Sequence, residues 1–104
     1  MIADGLDPII HAPKRLMVMS ILCSSVEADF PYLRDQLDVS ESDLSKQMKA
    51  LSDAKYVKVH KTGAGRGSVT RYAATRTGRK ALASHTAAIR AILDLADLDE
   101  IAAP

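Results

Sequence analysis

Tryptophan is absent from this chain, and Phe30, Tyr32, Tyr56 and Tyr72 are its only aromatic residues. Leu, Ile, Val, Met and Ala must therefore fill the interior, and too few rings remain for a platform that stacks single-stranded nucleic acid. Cys23 is the one cysteine, so no internal disulfide can form, and on an apolar helix face it reads as a small core residue. No CxxC or Cys/His spacing marks a zinc site, and His11, His60 and His85 lie far apart in sequence, so we expect neither metal nor cofactor. The longest near-apolar run, Leu16 to Cys23, is far shorter than the ~18 residues a membrane span needs. Acidic Asp4 and Asp7 stand where a signal peptide would be basic, so the expected location is cytoplasmic, with no membrane partner. Asp35, Asp38, Glu41 and Asp43 read as surface and capping carboxylates. With no nucleophile and base pair in evidence, we do not expect an enzyme.

What the chain does have is charge, distributed unevenly. The 104 residues carry a formal net charge of only +1. Between Lys46 and Lys80, however, ten Lys and Arg residues face Asp53 alone, a local net of +9. Residues 1–45 are net −5 and residues 81–104 net −3. A concentrated positive field of that size points to a polyanion. The length fits one domain by the usual prior of about 100 to 200 residues, and 47% apolar residues suffice for a modest core.

Local signals give the order of elements. Asp7-Pro8 resembles an N-cap and first helical residue opening a short turn, and Pro13 starts a helix to about Ser24. Leu16, Met19, Ser20 and Cys23 share one stripe, while Met17, Val18, Ile21 and Leu22 make that helix apolar almost all round, which predicts a buried central position. Val26 to Phe30 allows a short extended piece. Pro31 opens a second helix through Leu37, with Tyr32, Leu33 and Leu37 on its stripe, and Asp38-Val39 forms the turn. Ser40 caps a third helix, and Asp43 is placed to return a hydrogen bond to the Ser40 amide. Leu44, Met48 and Leu51 form the inward stripe of that helix, leaving Ser42, Ser45, Lys46, Lys49 and Asp53 outward.

Tyr56 to Lys61 alternates as a half-buried strand, residues 63–67 form a flexible Gly-rich loop, and Val69 to Ala74 alternates again with Tyr72 inward and Arg71 outward. Together these make a hairpin with a cationic tip. Thr75 or Thr77 then caps a last helix to about Ala96, in which Gly78 is tolerable near the start. Leu82, His85, Ile89, Ile92 and Ala96 form one stripe of that helix, and Ala88, Ala91, Leu95 and Leu98 a second. The tail from Asp97 should fray.

Asp43-Leu44-Ser45-Lys46-Gln47-Met48-Lys49-Ala50-Leu51-Ser52-Asp53-Ala54-Lys55-Tyr56-Val57 resembles the recognition-helix pattern N-L-S-x-H-L-x-x-L-x-x-A-G-Y-V of MarR-like and ArsR-like transcriptional regulators. The opening from Leu6 to Leu16 and the run Tyr72-Ala73-Ala74-Thr75-Arg76-Thr77-Gly78-Arg79 look like the small, single-domain branch of that group. Three departures stand out. Lys55 replaces a glycine in the left-handed C-cap, Gln47 a frequent histidine, and Ala74 a leucine.

The resemblance implies a mainly α winged helix-turn-helix with a small β-hairpin, as a single domain over residues 1–104. Its core would span about 6–75, with a C-terminal dimerisation helix over about 76–97. It implies a homodimeric, sequence-specific regulator of transcription, a repressor by default, on a pseudo-palindromic double-stranded operator. The α-helix fits a major groove roughly 12 Å wide. Ser40, Ser42, Ser45, Lys46, Gln47 and Lys49 are the expected contacts there, and Lys61, Arg66 and Arg71 those of the wing on backbone or minor groove. Leu82, His85, Ile89, Ile92 and Leu93 are the expected dimer contacts, with His85 along the seam or at its wet edge. A small-molecule effector has no motif of its own and would have to sit between the last helix and the winged body. Two other readings compete: a winged helix that docks an acidic protein partner, and a non-specific, chromatin-like DNA binder.

Overall fold

A computed structural model describes residues 5–102, with side chains through Asp97. Asp4 falls outside the described residues, as does the side chain of Leu98 from the second stripe of the last helix. The elements are α1 (Pro13–Cys23), β1 (Ala28–Asp29), α2 (Phe30–Leu37), α3 (Glu41–Asp53), β2 (Val57–Thr62), β3 (Val69–Ala74) and α4 (Arg76–Ala102). The three strands form an antiparallel sheet in the order β1-β3-β2, and Tyr72 at its centre faces Ala28 on one side and Val59 on the other. This is a winged helix fold: α3 follows α2 through a tight turn, and β2 and β3 project as the wing.

Local chemistry sets the boundaries. The Asp7 carboxylate accepts hydrogen bonds from the Ile9 and Ile10 amides at 2.8 and 3.2 Å, closing the turn before α1. Asp29 caps α2 by accepting from the Tyr32 amide, and Asp38 ends it in the left-handed conformation. Ser40 caps α3 through the Asp43 amide at 3.1 Å. The Asp43 carboxylate does not complete the reciprocal box, because Lys14 and Gln47 occupy it instead. Lys55 takes the left-handed position after α3 at φ 64°, where a Cβ is unfavourable. Thr75 is the cap of α4, accepting from the Gly78 amide at 3.0 Å while its hydroxyl donates to the Lys55 carbonyl.

The core lies between α1, α3 and the inner face of the sheet, where Val18, Met19, Leu22, Leu44, Leu51 and Tyr72 are buried. Burying a leucine or isoleucine contributes about 1.5–3 kcal/mol, so the α3 stripe alone is a strong tether.

Several expectations change. The first helix is buried on one face only, since Met17 is 46% exposed and Ser20 is also outside. Tyr32 faces outward, because the Asp29 cap begins α2 in a phase that turns Leu33, not Tyr32, to the core. On β2 only Val57 is buried, because nothing covers the strand beyond the body. The loop tip contains a 3-10 turn at Gly65–Gly67. The last helix continues to Ala102, as Asp97 to Ala102 contains no helix breaker. Gly78 is required rather than tolerated: a Cβ there would lie 2.1 Å from the Tyr56 carbonyl oxygen. At about 1.5 Å per residue, α4 is about 40 Å long, and the molecule extends 64 Å along its longest axis against 26 and 21 Å.

Candidate nucleic-acid interface

The outward face of α3 carries Ser42, Ser45, Lys46 and Lys49, all exposed, because Leu44, Met48 and Leu51 commit the opposite face to the core. Ser40 also lies at the surface, its hydroxyl bonded to the Asp43 amide and 3.3 Å from that of Ser42. Lys49 reaches Asp53 one turn on at 3.0 Å, an exposed pair that solvent screens. Gln47 is half-buried and already bonded at both ends of its amide: Arg15 donates to its Oε1 at 2.9 Å, and its Nε2 donates to Asp43 Oδ1 at 2.9 Å. The hydrogen bond from Lys14, foremost, and that from Gln47 hold the Asp43 carboxyl below its ordinary value. Sequence periodicity placed Gln47 beside the outward residues and carried no trace of these partners.

The wing carries Lys58 and Lys61 on β2 and Arg66 in the tip, all exposed and without an ion-pair partner among the described residues. Gly63 and Gly65 turn the tip at positive φ, and a Cβ on Gly63 would meet the Gly67 carbonyl at 2.7 Å. Arg71 is separated from this set. The register pairs it with Asp29 of β1, and its guanidinium lies 3.3 Å from Glu27. It therefore borders a surface hollow lined also by Ile21, Ser24, Ser25 and Tyr32.

Behind the interface is a polar knot that sequence reading missed. His85 of α4 is completely buried, and its Nδ1 accepts from the Asp7 amide at 3.0 Å. The ring of His11 stacks edge-on at 5.4 Å between centroids. The subunit itself thus covers His85, which corrects its expected place on a partner seam. Burial, with His11 adding to it, keeps its pKa below the ordinary 6.5 against the opposing pull of Asp7. The Tyr56 hydroxyl donates to Asp7 at 2.5 Å, which pushes the phenol up to about 12. Burial works against ionisation of Asp7, but the Tyr56 hydroxyl and the Ile10 and Ile9 amides outweigh it and hold the carboxyl below its ordinary value. Burial raises the Cys23 thiol despite the nearby Arg79, in keeping with a structural residue. Among the described residues no group of three or more potential ligands could hold a metal, and no helix is long and apolar enough to cross a membrane.

Of the other expected dimer contacts, Leu82 packs on the core, Ile89 and Ile92 are half-buried, and Leu93 is 57% exposed.

Residues 14–93 match the family model for a winged helix DNA-binding domain. No curated protein matches by sequence. Solved structures do. A transcriptional regulator homologue from Pyrococcus horikoshii OT3 superposes with a TM-score of 0.79 at 26% identity, over 86% of this chain and 88% of that one. RV1404 from Mycobacterium tuberculosis gives 0.69 at 23% identity, over 99% of this chain and 67% of that one. The zinc-responsive MarR family member ZitR from Lactococcus lactis gives 0.59 at 18% identity, over 81% of this chain and 57% of that one. The fold is therefore MarR-like. With the matched segment running from the start of α1 to well into α4, the chain belongs to the family of winged helix DNA-binding domains.

Proposed function

We propose that this protein is a transcriptional regulator that binds double-stranded DNA as a homodimer, recognises a pseudo-palindromic operator and acts as a cytoplasmic repressor. One observation carries the reading. Ser42, Ser45, Lys46 and Lys49 stand exposed on a helix whose other face is locked in the core, beside a wing that exposes Lys58, Lys61 and Arg66. The helix suits a major groove, and the wing suits phosphates or a neighbouring minor groove. The family match and the Pyrococcus horikoshii homologue support the same role. In this reading Gln47 and Arg71, held within their own subunit, act on the interface indirectly.

The domain unit is the winged body of about residues 6–75 together with α4. Pairing runs through the distal part of α4, where Leu93 and Leu95 are exposed and Ile89 and Ile92 half-covered. Two such subunits would place recognition helices about 34–36 Å apart, one turn of DNA.

Gel-shift titration of Lys46→Ala and Arg66→Ala on a duplex selected from a random library tests the reading. Each variant should bind more weakly and lower the slope of log affinity against log salt by about 1. Unchanged affinity in both removes the assignment of these faces, and equal affinity of the unaltered protein for heparin and the selected duplex removes sequence recognition.

A further inference from the structure

The side-chain chain that ties α1 to α3 has no part in the contacts proposed above. Arg15, in the first turn of α1, donates through Nε to the Ile9 carbonyl at 2.6 Å and through Nη1 to Gln47 Oε1 at 2.9 Å. Gln47 donates onward to Asp43 Oδ1, and the Lys14 ammonium closes on Asp43 Oδ2. Two consecutive residues of α1 thereby grip an i, i+4 pair on the recognition helix. The anchor of Arg15 is itself fixed. Ile9 lies in the turn capped by Asp7, which is bonded to His85 of α4 and to Tyr56 at the root of the wing.

A glutamine reads adenine by offering its carbonyl and its amino group together. Here a guanidinium holds the carbonyl and a carboxylate holds the amino group, and charge-assisted bonds of this kind are roughly twice as strong as neutral ones. Breaking both to face a base would leave Arg15 and Asp43 half-satisfied. We propose that Arg15 is a positioning residue for sequence reading: it locks Gln47, and through Gln47 it locks Asp43. The helix then presents Ser42, Ser45, Lys46 and Lys49 in one pose, with the Gln47 amide facing inward.

The proposal rests on the DNA-binding reading, so its test has one arm without DNA. In the unliganded protein the Gln47 side-chain amide should give a dispersed NMR resonance with slowed solvent exchange, and Arg15→Ala should return it to the position of an exposed glutamine. In the DNA arm, Arg15→Ala should weaken the selected duplex about tenfold while leaving random-sequence duplex affinity and the salt slope unchanged. Adding Arg15→Ala to Gln47→Ala should cost nothing further, since the two act as one unit.

An exposed-type Gln47 resonance in the unaltered protein overturns the lock. Equal losses on selected and random duplexes with a smaller salt slope would make Arg15 a phosphate contact, and additive losses would make Gln47 an independent reader; either result overturns the proposal. If Arg15→Ala does not fold, Gln47→Met keeps the side-chain length, removes the amide and should show the same selective loss. A protein that selects no duplex overturns the functional reading, and with it the positioning role, while the NMR arm still reports whether the lock exists.

Discussion

Lys14 and Arg15 lace the recognition helix to α1 through Asp43 and Gln47, whereas Lys58, Lys61 and Arg66 on the wing meet no charged partner among the described residues. Both regions turn lysines outward, and they differ in how the body holds them. On α3, three buried side chains and a network of charged hydrogen bonds through Asp43 and Gln47 fix the helix that carries the outward residues. On the wing, a ladder of six register pairs holds β2 to β3, but only Val57 of β2 is buried. A preorganised face loses little freedom on binding and can discriminate, while an unpacked arm must order about 0.5–1.5 kcal/mol of side-chain freedom per residue. In the DNA-binding reading proposed above, the helix reads and the wing holds.

The sharpest break in that comparison comes from glycine. Gly78 seats α4 against the root of the wing, and a methyl there would lie 2.1 Å from the Tyr56 carbonyl oxygen, a backbone atom that cannot rotate away. At Gly67, near the tip, an added Cβ would meet nothing within 4 Å, and the backbone there is open to other residues. Gly78→Ala should therefore cost about 3 kcal/mol or more, lowering Tm by more than about 12 °C in thermal unfolding. Gly67→Ala should stay within about 0.5 kcal/mol. Equal effects would mean that the root is as yielding as the tip.

The knot of Asp7, His85 and Tyr56 behind the recognition helix should also respond to acid. His85 accepts the Asp7 amide through Nδ1, which requires an unprotonated nitrogen, and its pKa lies below the ordinary 6.5. The unfolded chain therefore takes up the proton first as pH falls. Stability is fully present above about 6.5 and is lost as pH drops through the lower folded value. Asp7, also shifted below its ordinary value, adds a second loss below about 3.8, again in the acid direction. Tm measured between pH 7.5 and 5 should fall for the unaltered protein and stay nearly flat for His85→Gln, whose amide oxygen can still accept the Asp7 amide. A parallel fall in both proteins would assign the acid sensitivity elsewhere.

How much of this was legible depended on sequence distance. Ser40 and the Leu44, Met48, Leu51 stripe act within a few residues of themselves, so that cap, the period and the cationic face were readable, and with them the winged helix; the Asp29 cap was not read, although it too is local. The left-handed Lys55 was readable too, from its place after the recognition helix. The Asp7 amide and His85 are 78 residues apart, and Arg15 and Gln47 are 32 apart. Nothing local marks either bond, so His85 read as a seam residue and Gln47 as a base reader. Gly78 read as tolerable because helix propensity records its cost and not the Tyr56 backbone that lies against it. On β2, alternation promised a buried face, but burial needs a covering layer, and Val59 is 48% exposed.

The smallest expected effect falls at the joint between the two regions. Lys55 ends the recognition helix at φ 64° and hands the chain to the wing, with its carbonyl fixed by the Thr75 hydroxyl at 2.7 Å. A left-handed conformation costs an ordinary residue about 1–2 kcal/mol, and glycine removes that strain while losing about 0.5–1 kcal/mol to its freer unfolded chain. Lys55→Gly should therefore raise stability by no more than about 1.5 kcal/mol, read as a Tm increase of several degrees at most. The substitution also deletes a charge beside the wing, so affinity for the selected duplex should fall slightly with no change in sequence ratio. Lys55→Asn separates the two causes: asparagine removes the same charge but tolerates the left-handed region less freely than glycine, so it should reproduce the affinity loss with a smaller gain in Tm. A changed sequence ratio in either variant would show that the joint transmits the pose of the helix to the wing and that the two regions do not act independently.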